Sequence, residues 1–232
     1  MTRLAAAVRL ELTLQVRQKF LHAAVFSGLI WLAVLLPMPA RLRTVAEPYV
    51  LLGDTAIIGF FFIAGTVFFD KQDRTLSAII ATPLRFSEYL SAKLIPLVVV
   101  SLMVAVTVAG IGGSGYHPIP LLIGVLLATL VMLLVGFTTS MPFGSISDWF
   151  LAATIPLAVL TLPMLGYAGV WSTPVHYLIP TYGPLLLFGA AFDQLSLSPW
   201  QLGYALVYPT LCIAGLGRTA HALFGHYIIE RS

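Results

Sequence analysis

Long apolar runs alternate with short polar stretches along the whole sequence. Six of these runs come close to, or exceed, the roughly 20 residues with which a helix crosses the hydrocarbon core of a bilayer. The pattern therefore predicts an all-α membrane protein that forms a single transmembrane domain. The six predicted transmembrane helices cover residues 20–38, 50–69, 94–111, 121–143, 149–170 and 202–224.

The polar segment before the first apolar run, residues 1–19, is basic and leads directly into that run. Residues 8–17 alternate apolar and polar side chains, which is the period of a strand. No partner strand is evident, however, and the stretch adjoins a spanning helix. We therefore predict an interfacial helix whose basic side chains face anionic lipid headgroups.

Residues 171–200 contain prolines on both sides of an apolar run, residues 185–192, that is too short to span a bilayer. We expect this segment to enter the membrane partway from outside, as a re-entrant or surface helix-turn-helix before the sixth crossing.

Composition supports a membrane protein, because 59% of the residues are hydrophobic and only 9% are charged, whereas soluble domains carry about 25% charged residues. The single cysteine, Cys212, excludes an internal disulfide framework. The net charge of +3 is not evidence for nucleic-acid binding, because the basic residues are distributed by membrane side. We expect no nucleic-acid partner.

The basic residues also predict the orientation of the chain. With six crossings both termini lie on one side, and placing them inside puts ten of the twelve Lys and Arg residues there, with only Arg41 and Arg43 outside. This positive-inside bias predicts a multi-pass protein of the plasma membrane with both termini in the cytoplasm. The loop between the second and third crossings, residues 70–93, is then cytoplasmic.

That loop holds a concentration of charge that is unusual for this chain. A possible cap at Asp73 or Thr75 and the helix-breaking step Thr82-Pro83 predict a short helix along the membrane face, joined to crossings two and three. An ordinary solvated loop is the alternative. We favour a coupling segment, because charges of both signs and the Thr-Pro step exceed what orientation requires. The charged residues are Asp70, Lys71, Asp73, Arg74, Arg85, Glu88 and Lys93.

In the same loop an acidic residue precedes Thr-Leu, a few aliphatic residues lead to Thr-Pro, and an acidic residue lies five positions before a lysine. This pattern resembles the signature of type 2 ATP-binding-cassette exporter permeases. Overall the chain is most similar to actinobacterial permeases of the fluoroquinolone-export type. It departs from the family pattern at Arg74, where glycine is common. The residues to which the resemblance assigns ATPase coupling are Asp70, Lys71, Asp73, Arg74, Thr75, Leu76, Thr82, Pro83, Glu88 and Lys93.

The resemblance implies a transport subunit rather than an enzyme. Its implied partners are ABC ATPase subunits and a second permease subunit, identical or different. No Gly-x-x-x-x-Gly-Lys-Ser/Thr phosphate loop occurs in the sequence. We therefore expect this chain to bind no cofactor, with ATP and Mg²⁺ on a separate ATPase chain. The sparse charge in the spans favours a hydrophobic or amphipathic cargo, such as a fluoroquinolone; haem or lipid export is the alternative within the family.

Two carboxylates are candidates for the transport pathway. Asp54 is the one carboxylate within a predicted span, and such residues are often functional. It lies about four residues from the predicted outer end of its helix, roughly 6 Å, so placement at the interface is slightly favoured over a pathway role. Asp193 follows the short apolar run and lies in an exit vestibule or, as we favour, a solvated turn.

Two other functional classes are less well supported. A proton-coupled carrier requires acidic or histidine side chains near the membrane midplane, and only Asp54 approaches this. An intramembrane lipid-modifying enzyme requires a cluster of carboxylates or histidines, usually with a metal. His221 and His226 are five residues apart and do not share a helical face. We therefore expect no metal site.

Overall fold

The computed structural model describes residues 3–72, 85–112, 115–170 and 173–229. Within these ranges the protein is helical, with connecting turns and no strand. A π-helical stretch, Ala56–Phe62, interrupts the third helix, and a 3₁₀ turn, Pro174–Leu178, precedes the seventh. The helices are α1 (Arg3–Arg17), α2 (Phe20–Leu35), α3 (Ala40–Gln72), α4 (Phe86–Gly112), α5 (Pro118–Ser140), α6 (Ile146–Tyr167), α7 (Tyr182–Ala191) and α8 (Pro199–Phe224).

Four of the described helices, α3 to α6, are long and apolar enough to cross a membrane. A fifth crossing is added if α1 and α2, which are bent by 64° relative to each other, are taken as one broken span. The 26-residue helix α8 is not among the candidates. The all-α, multi-pass class is thus confirmed, whereas the count of six crossings stays a prediction.

The polar link predicted between the first two crossings is in fact the beginning of α3. This helix starts at Ala40, ten residues before the predicted start at residue 50. The Arg43 guanidinium donates hydrogen bonds to the carbonyl oxygens of Leu35, Leu36 and Met38 at 3.0–3.1 Å. Leu35 and Leu36 lie at the C-terminal end of α2, where helical partners for the carbonyls run out, and Met38 lies in the turn that follows. Arg43 therefore fastens the beginning of α3 to the end of α2.

Helix α5 lies at the centre of the bundle and packs against α3, α4, α6, α7 and α8. Close contact with α3 depends on two glycines. A Cβ atom at Gly136 would collide with the Phe60 carbonyl oxygen, and one at Gly59 would lie 2.6 Å from the Met132 Cβ. Both contacts involve the π-helical stretch of α3, so the main buried core forms where that stretch meets α5.

Helix α7, in the segment predicted to be re-entrant, lies inside the bundle rather than on its surface. Nine of its ten residues are buried, and it packs against α5, α8 and α3. Its ten residues are all apolar or aromatic apart from the Tyr182 hydroxyl, so burial on every side is favourable. The depth of this segment in the bilayer stays a prediction.

Candidate coupling site at the base of the bundle

A buried ion cluster joins three helices on either side of the predicted coupling segment. The Lys93 ammonium on α4 lies 2.8 Å from Asp70 Oδ2 at the end of α3. It also lies 3.2 and 3.3 Å from the two carboxylate oxygens of Glu11 on α1. We refer to these three residues as the Glu11–Asp70–Lys93 cluster.

Two further side chains complete the hydrogen bonding of this cluster. The Tyr89 hydroxyl donates to Asp70 Oδ2 at 2.9 Å, and the Gln15 amide donates to Glu11 Oε1 at 3.3 Å. Lys93 is 1% exposed, Asp70 5% and Glu11 8%. A buried charge is tolerated only when it is paired and hydrogen-bonded. Each of the three charges therefore depends on the others for its place in the fold.

The spacing of residues along the helices explains the geometry. Tyr89 and Lys93 are four residues apart on α4, and Glu11 and Gln15 are four apart on α1, so each pair occupies one helical face. On α1 the polar pair is buried, whereas Leu10 and its apolar neighbours Leu12 and Val16 are exposed. The helix thus presents apolar side chains outward, which is the arrangement expected for a helix at a lipid interface.

Lys71 makes a second connection at the same end of the bundle. Its ammonium donates to the carbonyl oxygens of Ser140, Met141 and Phe143 at 2.7–2.9 Å. These carbonyls end α5, where a cation is favoured both by the unpaired acceptors and by the helix dipole. Lys71 therefore fastens the end of α3 to the turn between α5 and α6.

The predicted coupling residues consequently fall into different environments. Asp70 and Lys93 are inside the protein, where they position helices and cannot themselves contact a docked partner. Glu88 is partly exposed, and its carboxylate accepts a hydrogen bond of 2.9 Å from the Arg85 backbone amide at the start of α4. The remaining predicted coupling residues lie outside the described residues; they are Asp73, Arg74, Thr75, Leu76, Thr82 and Pro83.

Glu11 is the member of the cluster that the sequence-based interpretation missed. The basic character of residues 1–19 predicts a surface segment whose arginines, and not its one acidic residue, make the important contacts. The available signal was the pair Glu11 and Gln15, two polar residues spaced by one helical turn in a helix whose other face is apolar. That pattern is compatible with a solvated face as well, so it did not identify the partner on α4.

Asp54, for which the sequence slightly favours placement at the membrane interface, is buried inside the protein, and its depth in the membrane stays a prediction. It is 2% exposed, and its Oδ1 accepts hydrogen bonds from Ser27 Oγ at 2.7 Å and Trp31 Nε1 at 3.1 Å. Because α3 begins at Ala40 and not at residue 50, Asp54 lies well inside the helix. In this structure Asp54 links α3 to α2.

Asp193 lies on an exposed turn after α7. It has a positive φ of 55°, and its Oδ1 is 3.0 Å from His117 Nε2. Both side chains are largely exposed, 80% and 60% respectively, so the pair is weak in solvent. No group of three or more His, Cys, Asp or Glu side chains within the described ranges is arranged to hold a metal ion.

Comparison with known proteins identifies the family. Residues 2–232 match the profile of the fluoroquinolones export permease protein family. The chain is also 69% identical, over 234 aligned positions, to the fluoroquinolones export permease proteins of two Mycobacterium tuberculosis strains, CDC 1551 / Oshkosh and ATCC 25618 / H37Rv. These alignments cover 100% of this chain and 99% of each relative. The chain therefore belongs to the fluoroquinolones export permease protein family.

Proposed function

We propose that this protein is the membrane subunit of an ATP-driven ABC exporter that moves a hydrophobic or amphipathic compound out across the plasma membrane. The observation that supports it best is the Glu11–Asp70–Lys93 cluster. It ties together the helix that enters residues 73–84, the helix that leaves them, and the interfacial helix α1. A force applied to that segment therefore acts on three helices together.

The mechanism follows from these connections. An ATPase subunit docks on the cytoplasmic segment and moves when it binds and hydrolyses ATP. Because α3 and α4 are both membrane-crossing candidates, their displacement reaches the outer half of the bundle. Lys71 transmits the same movement to the end of α5. Two permease subunits alternate between inward- and outward-open arrangements, and ATP and Mg²⁺ stay on the ATPase chains.

The cargo is proposed from the family. The relatives are named for the export of fluoroquinolones, and a fluoroquinolone is an amphipathic drug. Asp54, the buried carboxylate of α3, is already engaged by Ser27 and Trp31. The apolar spans therefore suit an amphipathic compound better than a highly charged one.

The proposal is tested by purifying the native complex and by measuring ATP-dependent fluoroquinolone uptake into inside-out vesicles. We expect an ATPase chain to co-purify, and the double charge reversal Asp73→Lys/Glu88→Lys to abolish both co-purification and uptake. Asp193→Lys, an exposed charge reversal remote in sequence from the coupling segment, is the matched control for co-purification, which it should leave unchanged. Uptake that survives ATP depletion but collapses with the proton gradient would instead indicate an ion-coupled carrier.

A further inference from the structure

A cleft of about 860 Å³ lies between the beginning of α4 and the C-terminal half of α8. Arg85, Phe86 and Ser91 line it on one side, and Gly217, Arg218 and His221 on the other. The Phe86 and His221 rings are packed together with their centroids 5.0 Å apart. Its volume is in the range of small-molecule sites, which are commonly 300–1,000 Å³.

The described lining of the cleft is basic. None of the lining residues that the structure describes is Asp or Glu, and both arginine side chains are exposed. In the described part of the chain neither guanidinium pairs with a carboxylate. Glu88, the nearest acid in sequence, accepts a hydrogen bond from the Arg85 backbone amide and does not line the cleft. Guanidinium groups bind phosphate and carboxylate groups in a bidentate manner, so an anion is the expected ligand.

Apolar stripes continue from the cleft along both helices. On α4, Ile95 and Val99 follow Ser91 at intervals of four residues and are 41% and 48% exposed. On α8, Val207 and Leu211 lie on the same helical face as Arg218, at 58% and 64% exposed. An anionic head in the cleft would therefore have its apolar tail along these stripes.

We propose that this cleft binds an acidic phospholipid, with its phosphate held by Arg85 and Arg218 and its acyl chains on the two apolar stripes. A drug with a carboxylate would also bring a negative charge to the cleft. The drug molecule, however, is too short to cover both apolar stripes. This inference adds a lipid site to the proposed function, and only its choice of leaflet depends on the predicted topology. Under the predicted topology both arginines face the cytoplasm, so the lipid belongs to the inner leaflet.

The test measures binding of pyrene-labelled phosphatidylglycerol to the full-length permease in detergent, without any ATPase or transport. We expect Arg85→Gln/Arg218→Gln to weaken binding by about tenfold or more, since two charge-assisted contacts are lost. The control Arg41→Gln removes an exposed arginine that does not line the cleft and should leave affinity within about twofold. Unlabelled phosphatidylcholine should fail to compete.

A second pair of variants tests whether the lipid occupies the space inside the cleft. A Cβ atom at Gly217 or at Gly215 meets no atom within 4 Å, so both positions accept a larger side chain. Gly217 lines the cleft and Gly215 does not. We expect Gly217→Leu to abolish binding and Gly215→Leu to preserve it.

Several outcomes would overturn the assignment. These are unchanged binding in both the arginine and the Gly217 variants, equal competition by phosphatidylcholine, or displacement of the lipid by ciprofloxacin at equimolar concentration. The last would assign the cleft to the drug. Since the assay requires no transport, the lipid site can fail while the exporter proposal stands, and the reverse also holds.

Discussion

Single polar residues hold this apolar bundle together by crossing from one helix to another. Lys93 joins α4 to α1 and α3, Asp54 joins α3 to α2, and Lys71 joins α3 to the end of α5. In an apolar interior, little else fixes how one helix is positioned along the next. Each of these polar contacts is directional and has few alternative partners. Arg43 acts in the same way at the opposite end of α3 from Asp70 and Lys71.

Removing the cation of the buried cluster should destabilise the protein strongly. In Lys93→Met the carboxylates of Glu11 and Asp70 stay buried without a counter-charge, which costs about 3–5 kcal/mol. Thermal unfolding in detergent should report a midpoint lowered by about 10 °C. Arg17→Met, at an exposed position on α1, should unfold as the wild type does.

The triple variant Glu11→Gln/Asp70→Asn/Lys93→Met provides the complementary test. With all three charges removed, the midpoint should recover most of the loss, because no unpaired charge is then buried. If Lys93→Met alone has no effect, the cluster does not contribute to stability as described.

Two substitutions at Asp54 separate a structural role from a pathway role. Asp54→Leu leaves the Ser27 hydroxyl and the Trp31 indole N–H without their acceptor, a loss of about 1–3 kcal/mol. Asp54→Asn keeps an acceptor oxygen and should cost less. For both variants we would measure thermal unfolding and drug uptake. Normal stability with abolished uptake in Asp54→Asn would assign Asp54 to transport instead.

At the level of helices, the structure depends on close packing at α5 and on the aromatic contacts around α7. His176 in the 3₁₀ turn packs on Tyr182 with ring centroids 4.4 Å apart, and the Tyr204 hydroxyl of α8 donates to the Tyr177 carbonyl at 2.7 Å. These contacts attach the turn to α7 and α8. They hold this proline-rich segment against the rest of the bundle.

The contact between α3 and α5 predicts a large effect at Gly136. Gly136→Ala places a methyl group against the Phe60 backbone, which cannot move away as a side chain could, and should destabilise by about 1–3 kcal/mol. Gly110→Ala is the matched control in a helix, since its Cβ would meet no atom within 4 Å. That change should be neutral or stabilising, because alanine favours helix over glycine. Equal unfolding midpoints for the two variants would contradict the packing described.

The aromatic contacts predict a pH dependence through His176. Burial lowers the pKa of His176 below its usual value. As the pH falls below about 6.5, the unfolded chain binds a proton that the folded protein resists, so stability decreases with falling pH. His176→Phe keeps an aromatic ring and removes this contribution. The wild-type unfolding midpoint should therefore fall more than that of the variant between pH 7.5 and 5.5; parallel curves would exclude the effect.

At the scale of the whole molecule, the bundle is organised around α5, and the charged connections made by the cluster, Lys71 and Arg43 lie towards its ends. The cluster and Lys71 mark one end, where the chain enters and leaves residues 73–84. Arg43 and the exposed Asp193 turn belong to segments predicted to lie at the other. The proposed exporter requires that the end carrying the cluster and Lys71 face the cytoplasm.

That orientation can be tested with a single thiol. Cys212→Ser removes the only cysteine in the sequence, after which Arg41→Cys or Arg17→Cys introduces one at an exposed position. A membrane-impermeant maleimide should label the Arg41→Cys variant in intact cells and the Arg17→Cys variant only after permeabilisation. The reverse pattern would place the coupling segment outside and exclude a cytosolic ATPase as its partner.

The sequence by itself determined the membrane class, the helical content and the approximate positions of the apolar segments, because hydropathy and helix length are local properties of the chain. The sequence also indicated at which end of the molecule the charged residues are concentrated. Only the tertiary structure decided which polar groups meet. Glu11 and Lys93 are 82 residues apart, and Arg43 near the start of α3 reaches back to a carbonyl of α2. Burial of Asp70, Lys93 and α7 likewise results from contacts between distant helices, and hydropathy along one segment carries no information about its neighbours in space.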